Sequence, residues 1–303
     1  MKSGLTSILI NNYNYGRYLN EAIDSAIGQT DANVEVIVVD DGSTDDSAAR
    51  IASYGNRIVP IFQRNAGQAA AFNAGFAASR GEIVMLLDAD DRFKPNKVAT
   101  LLARYREQPT ISWCFHSLEL FGTNDVRVDD REPLGDSLID ARDSMRRGKL
   151  VAPGVATSGL TFRRALLDGI LPMPSDIRIT SDNFLKFAAF ATGVGALIAE
   201  PLAEQRIHAS NAYTRRVDVG GLRGRIAMQT ARHLAQRFPD IRRFANGHFA
   251  HGVGALVSTA NLTPEVRAEV ASYFSALPIG ERPALALRLL YSTLRGLGRR
   301  WTH

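Results

Sequence analysis

The sequence lacks the features that mark exported or membrane-embedded proteins. Its 303 residues include one cysteine, Cys114, which excludes a disulfide framework. Cys114 lies in the apolar run 111–115, where we expect a buried, unreactive thiol. No stretch approaches the roughly eighteen apolar residues of a membrane span, and no apolar signal region precedes the first predicted strand. We therefore expect a cytoplasmic protein, with peripheral contact at the inner face of the membrane left open.

The composition is that of an ordinary globular protein, with 45% apolar and 22% charged residues and a net charge of only +5. The chain can hold one large domain with an appendage, or two modest domains. The arginines concentrate after Arg206, which indicates an anionic neighbour for the C-terminal part. They are not interleaved with aromatic residues, so nucleic-acid binding is not indicated.

Short apolar runs alternate with helical patterns along the first third of the chain. The runs cover residues 6–10, 34–39, 58–62 and 83–87, and the helical patterns cover 19–27, 47–54 and 67–80. This alternation predicts an α/β fold with a mostly parallel central sheet flanked by helices. Further strands are predicted at 111–120 and 159–162, with a helix at 182–191. The long polar segment 121–154 is typical of a binding loop or lid, and the chain beyond residue 211 reads as helical.

The fourth of these runs ends abruptly in three carboxylates, Asp88, Asp90 and Asp91. Ligands bind at the carboxyl ends of the strands in open α/β sheets. If the chain stays extended, Asp88 and Asp90 project to the same side, and two adjacent carboxylates favour a hard cation such as Mg²⁺ or Mn²⁺ between them. The alternative is a solvated turn that caps the helix predicted near Asn96.

The residue identities in three segments indicate a protein family more specifically than the spacing of the acids does. The segments 38–45 (VVDDGSTD), 65–75 (from NAG to NAG) and 87–91 (LDADD) together resemble the family-2 glycosyltransferases of GT-A fold. The resemblance covers 5–95 closely and 155–212 loosely. It implies a nucleotide-diphosphate sugar donor, a divalent metal and inversion at the anomeric carbon. We therefore expect a GT-A catalytic domain over 1–212, divided into a nucleotide-sugar-binding half (1–95) and an acceptor half (96–212), followed by a helical extension over 213–303.

The resemblance implies that six residues bind the donor: Asn12, Tyr13, Asn14, Asp40, Gly67 and Asp88. Many relatives have Pro-Thr where this chain has Asn11 and Asn12. Asp40 matches the acid that accepts a hydrogen bond from the nucleobase, and a carboxylate suits a uracil-type N–H. The alternative for Asp40 is a helix-start acid, a role that would suit Ser43 better.

Metal binding is implied for Asp90, Asp88 and His208. The two aspartates match the family DxD motif, and His208 lies in a segment that resembles the later Arg-x-His-x-x-Asn motif. Imidazole is an acceptable Mn²⁺ ligand. A structural histidine is the alternative.

An inverting transfer needs a general base near the acceptor hydroxyl. The segment 179–185 resembles the family segment whose aspartate opens a helix in the acceptor site, which makes Asp182 the candidate. Ser181 stands where many relatives carry a glutamate. The alternative is that Asp182 only caps the helix that follows, although the two roles are compatible.

The last predicted helix is amphipathic. Leucines 287, 290, 294 and 297 and Trp301 recur at helical spacing, and Arg288, Arg295 and Arg299 share another face. The segment Pro283–Trp301 could contact an anionic membrane surface. The alternative is that the leucines pack on the catalytic domain or on a second subunit, so an oligomer stays open.

The sequence therefore predicts an inverting, metal-dependent transfer from a nucleotide-diphosphate sugar, with a UDP-sugar favoured, to a glycan or lipid-linked acceptor. A role in surface polysaccharide or glycolipid synthesis is implied by the resemblance alone. The chain lacks the Gln-x-x-Arg-Trp motif of the processive synthases, which favours a single transfer. Three rivals are a non-catalytic sugar-nucleotide or glycan-binding module, a nucleotidyltransferase, and a dinucleotide oxidoreductase. The last two are disfavoured because the first loop has neither several glycines nor a Gly-x-Gly-x-x-Gly motif.

Overall fold

The computed structural model describes residues 4–30, 33–122, 135–150, 154–208, 211 and 219–300. The chain divides into two compact units. The first unit comprises residues 1–141 and 152–208, and the second comprises residues 142–151 and 209–303.

The strands within the described residues all belong to the first unit and form one sheet. They are β1 (Thr6–Asn12), β2 (Val34–Asp40), β3 (Val59–Phe62), β4 (Ile83–Asp88), β5 (Arg92–Phe93), β6 (Trp113–Gly122), β7 (Ser137–Ile139), β8 (Leu160–Arg163) and β9 (Gly195–Ile207). Their order is β3-β2-β1-β4-β8-β6-β9-β5, with β7 also paired to β9. Strands β1 to β4 are mutually parallel, and β8 joins them to β6 by antiparallel pairing on both of its sides.

The described helices are α1 (Gly16–Ile27), α2 (Ser47–Ser53), α3 (Gln68–Ala78), α4 (Lys97–Glu107), α5 (Arg142–Arg146), α6 (Arg164–Ile170), α7 (Asp182–Thr192), α8 (Val219–Arg237), α9 (Arg242–Ser258), α10 (Pro264–Ala276) and α11 (Arg282–Arg300). Helix α5 and helices α8 to α11 lie in the second unit. The described part of the second unit contains helices and no strands. No described helix combines the length and the apolar character needed to cross a membrane.

The core of the first unit explains why its central strands read as unbroken apolar runs. Ile8 and Ile10 of β1 and Met85 and Leu87 of β4 are completely buried, and they pack in one cluster with Leu19 of α1. Parallel strands that are covered on both faces need no polar alternation. Cys114 is buried as expected, and burial raises the pKa of its thiol to about 12.

One local expectation differs from the structure. The predicted loop 121–154 contains β7 and α5, while its residues 123–134 and 151–153 lie outside the described residues.

The second unit packs its helices through glycines. A β-carbon on Gly252 of α9 would lie 2.7 Å from the carbonyl oxygen of Gly224 on α8. A β-carbon on Gly296 of α11 would lie 2.5 Å from the carbonyl oxygen of Gly254 on α9. Side chains larger than hydrogen would push these helices apart, so small residues decide which faces meet.

Candidate active site

The predicted donor residues converge because the three central strands end together. In the parallel register, Asn12 of β1 lies beside Asp40 of β2, and Asn11 of β1 lies beside Asp88 of β4. Four strand residues separated by up to 77 positions in sequence thus meet at one edge of the sheet. This is the edge at which ligands bind in open α/β sheets.

Asp40 is fixed by the first loop and by its own turn. Its Oδ1 atom accepts hydrogen bonds from Asn12 Nδ2 at 2.7 Å and from the Ser43 hydroxyl at 2.5 Å. Both Asp40 and Asn12 are buried. Asp40 therefore ends a strand rather than starting a helix, since α2 begins only at Ser47.

The loop after β1 is held against the turn after β2. Asn14 has a φ of 59°, a conformation that asparagine tolerates better than most residues. Its side-chain oxygen accepts a hydrogen bond from the Thr44 N–H at 2.7 Å, and its own N–H donates to the Ser43 hydroxyl at 2.8 Å. Tyr13 is left half-exposed between these anchors.

Asp41 has a role that the sequence analysis missed. Its carboxylate accepts hydrogen bonds from the backbone N–H groups of Ala66 and Gly67, each at 2.8 Å, and from Gln63 Nε2 at 2.7 Å. It therefore fixes the loop that leads into α3. The only signal in the sequence was its place beside Asp40.

Gly67 is required at the start of α3 for two reasons. Its φ of 92° is unfavourable for residues with a side chain. A β-carbon there would lie 2.7 Å from the Arg178 Cα. The close approach brings α3 next to the chain that precedes α7.

The acidic cluster is a turn rather than a continued strand. Strand β4 ends at Asp88, and the Asp91 N–H donates to the Asp88 carbonyl oxygen at 3.1 Å. Asp88 accepts a hydrogen bond from Asn11 Nδ2 at 2.8 Å. Helix α4 has Asn96 at its N-cap with no side-chain hydrogen bond there, so these acids do not cap it.

Asp90 and Asp91 have different surroundings. Asp90 Oδ2 lies 3.1 Å from His208 Nε2. Both oxygens of Asp91 are engaged, one by the Ser158 hydroxyl at 2.6 Å and the other by the Arg206 N–H at 2.9 Å. Asp91 thus ties the turn to β9, while Asp90 faces the histidine.

Two carboxylates of this turn, Asp88 and Asp91, have a raised pKa. Burial and, after it, the negative charges of Asp90 and Asp182 raise the pKa of Asp88 to about 7, and hydrogen bonds from Asn11 and Thr157 oppose the rise. Burial and the negative charges of Asp90 and Asp88 also raise the pKa of Asp91. The site therefore has more negative charge than its own donors stabilise, and a cation there would be favourable.

His208 is held beside Asp90 by two tyrosines. Its ring centroid lies 4.7 Å from that of Tyr18 and 5.6 Å from that of Tyr15. Arg206, two residues earlier on β9, donates from Nε to the Asp90 carbonyl oxygen at 3.0 Å and from Nη2 to Glu21 at 2.6 Å. The tyrosine rings position the His208 imidazole, and the Arg206 hydrogen bond positions the backbone of Asp90, so the imidazole and the Asp90 carboxylate lie side by side.

The described residues include no group of three or more His, Cys, Asp or Glu side chains that could hold a metal ion alone. A divalent cation that shares the oxygens of a diphosphate needs only one or two protein carboxylates. Asp90 and His208 converge within 3.1 Å, and Asp88 adds a half-buried carboxylate two residues away. The chemistry of this donor set fits a Mn²⁺ or Mg²⁺ ion shared with a phosphorylated ligand.

Asp182 is the first residue of α7 and is buried. Its Oδ2 atom lies 2.8 Å from Lys186 Nζ, one helical turn later. Lys186 also donates to the Val155 carbonyl oxygen at 2.8 Å. The sequence analysis did not single out Lys186, although the i,i+4 spacing to Asp182 was visible.

Gln68 connects the end of β4, at Asp88, with the start of α7, at Asp182. Its side-chain oxygen accepts hydrogen bonds from the Ser181 N–H at 2.9 Å and hydroxyl at 3.1 Å, and its Nε2 lies 3.4 Å from Asp88 Oδ1. The residue before Asp182 is therefore linked through one glutamine to the end of β4. No sequence signal pointed to Gln68, because the contact with Ser181 spans 113 positions.

Comparisons with known proteins bear on the family and the fold of the chain. The family model described as glycosyl transferase family 2 matches residues 7–171, which is more than half of the chain. An uncharacterized glycosyltransferase of Nostoc sp. is 38% identical over 215 residues, covering 68% of this chain. The match spans 65% of the length of the Nostoc protein.

Solved structures show the same fold. TarS of S. aureus, in complex with UDP-GlcNAc, matches with a TM-score of 0.65 at 18% identity, covering 98% of this chain and 89% of that chain. The mannosyltransferase PcManGT from Pyrobaculum calidifontis, in complex with GDP-Man and Mn²⁺, matches with a TM-score of 0.52 at 20% identity, covering 98% and 86%. The predicted α/β fold of GT-A type is confirmed. The chain belongs to glycosyl transferase family 2.

Proposed function

We propose that this chain is an inverting glycosyltransferase that moves a sugar from a nucleotide-diphosphate donor to a hydroxyl acceptor. The observation that carries the proposal is the convergence of Asp40, Asp88 and Asp90 at one sheet edge. Ser181, the residue before Asp182, is linked to the same edge through Gln68. Family membership supports the reaction class, and the strand-end geometry supports the roles that we propose for the residues.

The donor site comprises the six residues predicted from the motifs: Asn12, Tyr13, Asn14, Asp40, Gly67 and Asp88. The half-exposed ring of Tyr13 offers a stacking surface for a base, and Asp40 offers a carboxylate to a base N–H. A uracil base suits this acceptor, so a UDP-sugar is favoured. The UDP-GlcNAc bound to the structurally similar TarS supports this choice.

The metal ligands are Asp90, Asp88 and His208. A bound Mn²⁺ or Mg²⁺ would supply positive charge to the leaving diphosphate. The close approach of Asp90 and His208, and the surplus of buried carboxylates around them, support this assignment. The Mn²⁺ in the PcManGT complex is consistent with it.

Asp182 is the general base. As the acceptor oxygen forms its bond to the anomeric carbon, the bond from that carbon to the diphosphate oxygen breaks, and the Asp182 carboxylate takes the hydroxyl proton. Lys186 holds one carboxylate oxygen from the buried side, which orients the other for proton transfer. A base of this kind contributes about 10² to 10⁴ in rate.

The acceptor is a glycan or a lipid-linked sugar, and the product belongs to a surface polysaccharide or glycolipid. This part of the proposal rests on family resemblance and not on the geometry of the site.

The first experiment measures donor binding by thermal shift with UDP-, GDP-, CMP- and dTDP-sugars, with and without Mn²⁺. A ligand that binds only the folded protein raises its stability, by about 2.7 kcal/mol at one hundred times its dissociation constant. We expect a Mn²⁺-dependent shift with a UDP-sugar. The Asp90→Asn variant should lose the Mn²⁺-dependent part of that shift and keep its fold.

The second measurement is UDP release from the same donor, which needs no identified acceptor. Asp182→Asn should retain donor binding and lower the release rate by about 10² to 10⁴. Asp168→Asn, which changes an exposed acid on α6, is the matched control. Near-normal turnover by Asp182→Asn would place the base elsewhere, and donor binding without any UDP release or sugar transfer would favour the binding module.

A further inference from the structure

Helix α11 turns four of its six leucines away from the unit to which it belongs. Its inner face is formed by Leu285, Leu289, Ser292 and Gly296, which recur at helical spacing and meet α9 near Gly254. The opposite face carries the leucine stripe, defined here as Leu287, Leu290, Tyr291, Leu294 and Leu297. These side chains are 69%, 57%, 64%, 59% and 38% exposed.

The orientation follows from the glycines. Gly254 and Gly296 allow the backbones of α9 and α11 to touch. The inner face of α11, which contains Gly296, is therefore the face that packs on α9. The leucine stripe lies about half a turn away and is left without cover in the described part of the chain.

The charge of the chain is divided between its two parts. Residues 219–300 contain twelve arginines and four acidic residues, whereas residues 1–218 contain 24 basic and 27 acidic residues. Helix α11 has five arginines and no acid within Arg282–Arg300. Of the four acids, Glu281 lies 2.8 Å from Arg242 and Glu269 lies 3.7 Å from Arg232. The helical part thus has a large unbalanced positive charge.

We propose that the leucine stripe docks on an anionic lipid surface. An amphipathic helix with basic residues beside its apolar face lies in the plane of the membrane interface, where leucines enter the acyl boundary and arginines face the head groups. Arg295 follows Leu294 of the stripe and is exposed, which places it on the flank of the stripe. Arg288 instead donates from Nη1 to the Arg243 carbonyl oxygen at 3.3 Å. None of the described helices could span a bilayer, which agrees with a helix that lies on the surface.

A second copy of the chain is the weaker occupant. A symmetric dimer would bring two identical faces together. Each face has arginines along its flank and no acid on the helix to pair with them, so the two would repel. An anionic lipid surface instead complements the charge and covers the apolar area.

The test is co-sedimentation of the full chain with vesicles of phosphatidylcholine that contain 30% phosphatidylglycerol or none. We expect binding to the anionic vesicles, weakened by salt, and little binding to the neutral ones. Leu290→Gln with Leu294→Gln should lower the partition coefficient at least ten-fold, and Arg295→Gln should lower it about five-fold. Because these side chains are exposed, the thermal unfolding midpoint should not change.

The matched control is Leu138→Gln. Leu138 is 59% exposed, the same fraction as Leu294, but it lies on β7 in the first unit. This variant should bind vesicles like the wild type. Equal binding by the Leu290→Gln, Leu294→Gln variant would overturn the proposal. So would a dimer in analytical ultracentrifugation that the same variant dissociates. Neither measurement uses a donor sugar, so failure here leaves the proposed activity untouched.

Discussion

The two units of the molecule differ in where their charged side chains lie. In the first unit, acidic side chains at the strand ends are buried or half-buried, and Asp40, Asp41 and Asp88 each have a defined donor. These donors are Asn12 for Asp40, Gly67 for Asp41 and Asn11 for Asp88. In the second unit, no arginine whose side chain is described within 219–300 is buried, and the helices meet through glycines instead.

This contrast predicts how each unit responds to substitution. Removing one partner of a buried pair leaves the other desolvated and unpaired, which is costly. Removing one exposed charge removes only one of many small contributions to the free energy of unfolding. Single substitutions should therefore have large, local effects in the first unit and small, cumulative effects on the surface of the second.

The strongest test compares two ion pairs with the same 2.8 Å separation. Lys186 and Asp182 are 8% and 7% exposed, whereas Arg242 and Glu281 are 26% and 36% exposed. Lys186→Met should destabilise the protein by about 3 to 5 kcal/mol, because Asp182 loses its buried counter-ion. Arg242→Met should cost less than about 1 kcal/mol. Urea unfolding measures both.

A double variant separates the loss of a charge pair from a simple packing defect. Lys186→Met combined with Asp182→Asn removes both charges, so it should recover part of the stability that Lys186→Met loses. If the double variant were as unstable as the sum of the two single variants, the pair would not be coupled. Lys186→Met should also slow UDP release at temperatures where it is folded, since Asp182 is no longer oriented.

A middle-sized effect is expected where glycines set the helix contacts. Gly296→Ala should destabilise the second unit by about 1 to 3 kcal/mol, because the new methyl group would lie 2.5 Å from the Gly254 carbonyl oxygen. Gly298 lies on the same helix, and among the described residues no other group lies within 4 Å of the position of a β-carbon. Gly298→Ala should therefore be neutral or stabilise by up to about 1 kcal/mol through helix propensity.

Thermal unfolding of the Gly296→Ala and Gly298→Ala variants tests whether the glycine contact holds α11 on α9. Equal behaviour would mean that α11 is not held by the contact with α9, and the outward orientation of the leucine stripe would lose its explanation.

That orientation also shows what sequence reasoning could not supply. The spacing of the leucines predicted an amphipathic helix, and α11 is one. The pattern could not say which face packs, because this depends on glycines 254 and 296, which carry no apolar signal of their own and meet only in the folded unit.

The strand-end motifs were more informative because they are local in sequence. Each ends a buried strand, and parallel strands must bring their ends together, so the neighbourhood of Asp40 and Asp88 could be predicted from the alternation of elements. The supporting residues Asp41, Gln68 and Lys186 were missed. The partners of Asp41 and Gln68 lie in other loops, up to 113 residues away in sequence. Lys186 lies only one helical turn from Asp182, but the spacing is informative only once Asp182 is considered to be more than a helix cap.

The smallest expected effect tests a paired charge at the opposite end of the strands. Glu35 on β2 accepts hydrogen bonds from the Ser7 hydroxyl at 2.6 Å and from Arg80 Nη2 at 3.0 Å. Burial, the largest single influence, raises the pKa of Glu35, but the hydrogen bonds from Ser7 and Arg80 together lower it below its usual 4.5. The folded protein therefore binds this proton less readily than the unfolded chain does.

Because the folded pKa is the lower one, Glu35 contributes stability above about pH 4.5, and this contribution is lost as the pH falls through the folded pKa. Glu35→Gln should cost about 1 kcal/mol at pH 7 and progressively less below pH 4.5. Arg295→Gln, at an exposed position of the second unit, should change stability by less than about 0.5 kcal/mol at either pH. Urea unfolding at pH 7 and pH 4 provides the measurement. If Glu35→Gln and Arg295→Gln were indistinguishable at pH 7, then even this buried carboxylate would be as weakly coupled to folding as the surface arginines, and the contrast between the two units would reduce to the Asp182–Lys186 pair.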